Sequence, residues 1–257
     1  MMKIKVFAIL VLTIMTSVQL NAQTKVVAHR GYWDCENSAQ NSIVALYKAH
    51  ETGVYGSEFD VLITADGIPV VNHDDKIEGK VIEETTYEEL RDIKLKNGET
   101  LPTLEQYLVH GKACRGTKLI LEIKPHKTKD AENKAVDATI KLVREKGLQE
   151  QVEYISFSMN ICKELKRLHP NAIIAYLKGD VSPAELKQLG MSGLDYHYNV
   201  FSEHPEWIRD AHDLGLFINV WTVNDVKIMK DLINRGVDFI TTDKPEFLKE
   251  VLAGRVN

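Results

Sequence analysis

Residues 118–157 read KLILEIKPHKTKDAENKAVDATIKLVREKGLQEQVEYISF. An apolar run, Lys118–Lys124, leads through a polar loop into an amphipathic stretch, Ala131–Lys146, that stops at Gly147. A second apolar run, Val152–Phe157, follows. Short apolar runs between polar loops read as buried strands, and a 3.6-residue pattern ending at glycine reads as a helix. Two strands joined by a crossover helix lie parallel. The same unit recurs on both sides. Upstream lie the runs Lys25–His29 and Gly56–Val61; downstream lie Ala172–Leu177, Gly193–His197, Leu216–Trp221 and Val237–Thr241. Helical patterns fall between most of them, at Asn41–Thr52, Met159–Leu168, Ser182–Leu189, Pro205–Leu214, Val226–Arg235 and, after the last run, Pro245–Leu252. Eight strands alternating with helices predict an α/β protein, a closed (β/α)8 TIM barrel. The competing arrangement is an open doubly wound sheet. No GxGxxG follows the first strand, which weakens a dinucleotide-binding version of it.

One stretch, Leu62 to Thr117, interrupts the rhythm. Asp66-Gly67 marks a turn between apolar segments, and Pro102-Thr103-Leu104 opens a helix. The polar segment between, residues 74–100, is expected to be a small excursion over the barrel mouth rather than a domain.

The chain of 257 residues is 44% hydrophobic and 27% charged, ordinary for a globular protein and wrong for a disordered one. Its net charge of −5 lacks the basic surplus of a general nucleic-acid binder, so no nucleic-acid partner is expected. Residues 1–22 combine a lysine-bearing start, an apolar run Val6–Val18 and a small residue, Ala22, at a plausible cut site. The run is shorter than the roughly 20 residues that span a bilayer. The expectation is a signal peptide cleaved after Ala22, a periplasmic or secreted barrel domain over 23–257, and no stable membrane insertion after cleavage. The competing reading is an uncleaved anchor. Cys35, Cys114 and Cys162 form no metal-binding pattern and are expected as three free thiols.

Active sites of such barrels lie at the C-terminal ends of the strands. The first strand ends Ala28-His29-Arg30-Gly31. In Glu58-Phe59-Asp60 both carboxylates face one side and Phe59 the other, and Glu122 and Lys124 likewise share a face. Carboxylates inside a barrel are costly unless paired or metal-bound. Glu58, Asp60 and Glu122 are hard oxygen ligands suited to Ca²⁺ or Mg²⁺; the alternative is an ion-pair network with Arg30 and Lys124. His29 and His73 can exchange protons near neutral pH. A cation, two basic side chains and two histidines suit attack on a phosphodiester. His126 and His197 are the other histidines that could reach the mouth.

These residues fall into a longer ordered series. It comprises His29-Arg30-Gly31, Gln40-Asn41-Ser42, Glu58-x-Asp60, Asp66-Gly67-x-Pro69 and His73-Asp74, then Leu101-Pro102-Thr103-Leu104-Glu105, Leu121-Glu122-Ile123-Lys124, Ser156-Phe157, Val220-Trp221-Thr222-Val223-Asn224 and Thr242-Asp243-x-Pro245. The series resembles the glycerophosphodiester phosphodiesterase family across nearly the whole chain after residue 22. The resemblance implies a barrel that cleaves glycerophosphodiesters, a small-molecule substrate, to glycerol 3-phosphate and an alcohol. It implies metal ligands Glu58, Asp60 and Glu122 for a divalent cation, commonly Ca²⁺ or Mg²⁺. It implies acid–base histidines His29 and His73, phosphate contacts from Arg30 and Lys124, and Trp221 at the pocket wall. One departure stands out: where the family has a Pro-Glu-Asn-Thr run, this chain has Gln40-Asn41-Ser42 after a longer loop, with Glu36-Asn37-Ser38 as a rival match. Tyr32 and Trp33 in that loop are candidates to touch the leaving alcohol. Other readings of the same barrel are a phosphodiesterase for intact lipids, like sphingomyelinase D, and a non-catalytic binding protein.

Overall fold

The computed structural model describes residues 23–256; the expected signal segment, residues 1–22, lies outside the described residues. In chain order the elements are β1 (Lys25–Ala28), α1 (Ile43–Thr52), β2 (Gly56–Ile63), β3 (Pro69–Val71), β4 (Lys76–Ile77), β5 (Lys80–Val81), α2 (Tyr87–Leu90) and α3 (Leu104–Gly111). Then come β6 (Lys118–Ile123), α4 (Lys129–Lys146), β7 (Val152–Ser156), α5 (Met159–Leu168), β8 (Ile174–Tyr176), α6 (Pro183–Gln188) and β9 (Gly193–His197). The chain ends with α7 (Tyr198–Glu203), α8 (Trp207–Asp213), β10 (Phe217–Trp221), α9 (Val226–Asn234), β11 (Phe239–Thr242) and α10 (Pro245–Leu252).

Strands β1, β2, β6, β7, β8, β9, β10 and β11 pair in that order, all parallel, and β11 returns to β1. The sheet closes, so the fold is the TIM barrel and not the open sheet. Outward-facing residues of the strands, such as Phe59, Leu121, Tyr154 and Tyr196, pack with the helices into one large core. Inside the barrel a smaller apolar cluster of Val27, Ile120, Ile155, Ala175 and Leu177 fills one part of the lumen. Helices start on side-chain caps, Ser42, Thr128, Ser158 and Ser182 among them.

Two local features differ from the sequence reading. Helix α7 was not expected, because His197 both ends β9 and caps the helix, leaving no turn residues between. The segment 74–100 holds a small hairpin, β4–β5, and has its own core: Ile82, Leu90 and Ile93 pack with Leu62, Val70 and Leu101. Glu99 then accepts from the backbone N–H groups of Ile43 and Val44 at 3.0 and 3.2 Å, tying this segment to the start of α1.

Candidate active site

Strand alternation turns Glu58 and Asp60 into the lumen, and the parallel register sets Asp60 beside Glu122 on β6. All three carboxylates are buried, and each offers an oxygen within 4.8 Å of the others. Burial, then Asp60 and Glu122 nearby, holds the Glu58 carboxyl well above the usual range. Burial and Asp60 push Glu122 up to about 8. Asp60 ends below its usual value: burial raises it, but Lys124, His73, Asn41 and Arg30 together outweigh burial. Lys124 Nζ stands 3.0 Å from Glu122 and 3.3 Å from Asp60. Arg30 Nε lies 3.9 Å from Asp60, and the Arg30 backbone N–H donates to Glu58 at 2.7 Å.

The donor set fits a hard divalent cation. It consists of three carboxylates and nothing soft. Glu122 Oε1, though close to Lys124, is buried without a hydrogen bond among the described residues. The ion-pair network weighed from sequence is present as well, so the same cluster carries both arrangements.

The loop after β1 supports the cluster. Asn41, at φ 61°, donates from Nδ2 to Asp60 at 2.9 Å and accepts from the Asp60 backbone N–H at 3.1 Å. Gln40 accepts from the Arg30 guanidinium at 2.8 Å. Gln40-Asn41-Ser42 is therefore the run that meets the site, and Ser42 caps α1; Glu36-Asn37-Ser38 is not.

His29 follows β1 with Nδ1 2.8 Å from Asp243. Asp243 also accepts from Trp33 Nε1 at 2.9 Å and Asn224 Nδ2 at 2.6 Å. Burial raises the Asp243 carboxyl, but these donors, His29 foremost, bring it down to about 2. With Nδ1 held, Nε2 is the His29 nitrogen left for chemistry. His73 follows β3, with Nδ1 2.7 Å from the exposed Asp74. Burial lowers its pKa, against the pull of Asp60.

One cavity, with about 490 Å³ of open space, gathers these groups. His29, Arg30, Glu58, His73 and Glu122 form its polar side; Ile155, Phe157, Leu177 and Trp221 form its apolar side. Trp221 meets Phe157 edge-on, with ring centroids 5.5 Å apart. Asp60 and Lys124 do not line the cavity; they stand behind Glu122. His126 accepts from the Ile63 backbone N–H and is not in the cavity wall, and His197 packs edge-on against Trp221. Tyr32 donates to Glu246 and Trp33 to Asp243, so neither indole N–H nor phenol faces the cavity with a free donor.

Sequence reasoning gave no role to Asp243, Asn224 or Asp195. The first two stood in quoted motifs at strand ends, and the rule applied to Glu122, a carboxylate where a barrel strand ends, marks Asp243 equally.

A barrel with carboxylates, paired histidines and basic groups at its C-terminal mouth defines a phosphodiesterase-type site. The sequence matches the Glycerophosphoryl diester phosphodiesterase family over residues 29–247, and the chain belongs to that family. A glycerophosphodiester phosphodiesterase of Caldanaerobacter subterraneus subsp. tengcongensis is 30% identical over 249 residues, spanning 88% of this chain and 96% of that protein. The crystal structure of a glycerophosphodiester phosphodiesterase from Parabacteroides distasonis superposes with a TM-score of 0.90 at 51% identity, covering 92% of this chain and 99% of that one. An Oleispira antarctica phosphodiesterase, solved with the product sn-glycerol-3-phosphate, superposes at 0.78 with 26% identity, covering 90% and 97%.

Proposed function

We propose that this chain hydrolyses glycerophosphodiesters to glycerol 3-phosphate and an alcohol, with Glu58, Asp60 and Glu122 holding a divalent cation and His29 and His73 moving the protons. The observation that carries this reading is the shared cavity: two histidines, each with Nδ1 tied to a carboxylate, stand beside a buried carboxylate cluster. The product seen in the Oleispira relative supports a small glycerol phosphate ligand. When bound, the cation would supply positive charge against the phosphoryl oxygens.

The protein's own residues supply the rest. Water, or the substrate's own glycerol hydroxyl, attacks phosphorus in line with the departing alcohol; in the second case the displacement leaves a cyclic glycerol phosphate, which water opens in a second displacement to give glycerol 3-phosphate. One histidine takes the proton of the attacking hydroxyl, and the other gives a proton to the leaving oxygen as the P–O bond breaks. Arg30, fixed by Gln40, presents a planar pair of donors to phosphate. Lys124 adds positive charge from behind the carboxylates. Phe157 and Trp221 wall the cavity on its apolar side and exclude water there. Export with cleavage after Ala22 is part of the same proposal, supported by the charge and apolar pattern of residues 1–22.

The test is product analysis. The protein is incubated with glycerophosphocholine, glycerophosphoethanolamine, lysophosphatidylcholine and sphingomyelin. Glycerol 3-phosphate with choline or ethanolamine is expected from the first two. Release of choline from the lipids alone would favour the lipid phosphodiesterase, and no release from any would leave a binding protein.

A further inference from the structure

Three carboxylates line the cavity, and Asp195 is the one outside the cluster. It sits in the middle of β9, where Leu194 and Tyr196 face the helices and leave Asp195 to the lumen. It is 2% exposed. Register places it beside Asn219 on β10, and Asn219 is engaged with Thr241 at 2.8 Å. Asp195 Oδ1 makes no hydrogen bond among the described residues. Among the described residues no cation faces it: burial pushes the carboxyl up to about 7, opposed by Asn219. Asp60, by contrast, has Lys124 at 3.3 Å and Arg30 at 3.9 Å, and Glu58 accepts from the Arg30 backbone N–H. An unpaired carboxyl oxygen at this depth is costly unless something donates to it.

Its surroundings say what could donate. The main cavity lies on one side, with Ile155, Leu177 and Trp221 around it. A second void, about the size of one water, lies on the other. A trimethylammonium group has no N–H to donate to Asp195 Oδ1. A short polyol fits: its carbons rest on apolar walls and one hydroxyl reaches the acceptor. The glycerol half of a glycerophosphodiester is the half that does not vary among substrates. The variable alcohol suits the open mouth.

We propose that Asp195 accepts a hydrogen bond from a hydroxyl of the substrate's glycerol half and so sets specificity at the cavity floor. The inference rests on the proposed glycerophosphodiesterase reading. A site built around such an acceptor rejects an analogue lacking the hydroxyl, because the carboxyl is then left unpaired.

The experiment compares glycerol 3-phosphate with 1-propyl phosphate, which keeps the phosphate and three carbons but has no hydroxyls. Inhibition constants for both are measured against hydrolysis of bis-p-nitrophenyl phosphate, which carries no glycerol. The ratio of the two constants does not depend on how much turnover a variant keeps. Wild type should favour glycerol 3-phosphate by about tenfold or more. Asp195→Ala and Asp195→Leu should bring the ratio near one, chiefly by weakening glycerol 3-phosphate. Asp195→Asn, which keeps an acceptor, should retain part of it. An unchanged ratio in variants that melt cooperatively would overturn the assignment. So would a loss that follows the alcohol, with glycerophosphocholine affected and glycerophosphoethanolamine spared. Failure of the underlying reading looks different: wild type would release no glycerol 3-phosphate from any diester, whatever the inhibitor ratio.

Discussion

His29 and His73 are the same side chain in two unlike settings. His29 leans on Asp243, a half-buried carboxylate that Trp33 and Asn224 also hold. His73 leans on Asp74, which is exposed. Either alanine variant should lose about 10²–10⁴-fold in turnover of glycerophosphocholine, the range for one acid–base step. The variant lacking the acid should recover on bis-p-nitrophenyl phosphate, whose leaving group needs no proton, and the other should not. If both keep wild-type turnover and pH profile, the histidine assignment is wrong. Asp243 gives a second prediction. Its folded pKa is about 2, below the roughly 3.9 of an unfolded aspartate. A depressed acid adds stability above the unfolded pKa and loses it as pH falls through the folded one. Wild type should therefore exceed Asp243→Asn by about 2 kcal/mol more at pH 6 than at pH 2, read from urea unfolding at each pH. A gap that does not change with pH would mean the carboxylate is not held by these donors. At this scale the sequence was readable for residues that carry chemistry in their own side chains. His29, Arg30, Glu58, His73, Glu122 and Trp221 do meet in one cavity. Asp243 pairs with His29 at 2.8 Å, and that pairing spans most of the chain length, where no local pattern shows it.

The β1–α1 loop shows how an element builds the site. Arg30, Asn37 and Asn41 all take positive φ, and Gly31 sits between β1 and α1 at φ 74°. The Gly31 N–H donates to Glu58 O at 2.9 Å, which fixes the loop to β2. A Cβ there would lie 2.6 Å from Ala45 Cβ and 2.8 Å from the Ala45 carbonyl carbon. Backbone strain and overpacking add in the same direction, so Gly31→Ala should cost about 3 kcal/mol. That corresponds to a Tm lower by roughly 6–12 °C. A melting point within about 2 °C of wild type would show that α1 can slide away freely. The helix and strand runs were legible because each alternates period and ends on glycine or a cap. The loop was legible only as a longer stretch with two competing Asn-Ser runs. What decides between them is Asn41, whose amide must reach both the side chain and backbone of Asp60. Helix α7 was missed for the reason that His197 belongs to two elements at once.

At the scale of the whole molecule, closure of the barrel is what brings β1, β2, β6 and β11 together at one mouth. The class of fold was open to sequence because eight parallel strands need seven crossings, and crossings leave long periodic signals. Asp195 and Asn219 inside the barrel were not, because a parallel strand buried on both faces reads as one apolar run, and a lone Asp195 within it passes for an exception. The same closure forces three carboxylates within 4.8 Å of one another, with Arg30 and Lys124 as the cations beside them. Such a cluster stores repulsion that a bound cation relieves, so cation binding and folding are linked. Millimolar Ca²⁺ or Mg²⁺ should therefore raise the melting temperature of chelator-treated protein. At 100 times Kd the gain is about 2.7 kcal/mol, or roughly 5–11 °C. Glu122→Gln removes one charge from the crowded set. In chelator it should melt at or above wild type, since a buried charge without full pairing is costly. It should gain little from cation, and its turnover of glycerophosphocholine should fall with that gain. If the cation shifts wild type and Glu122→Gln equally, the ion binds elsewhere. If chelated Glu122→Gln melts well below wild type, the pair with Lys124 outweighs the repulsion, and the cluster is a structural ion-pair network.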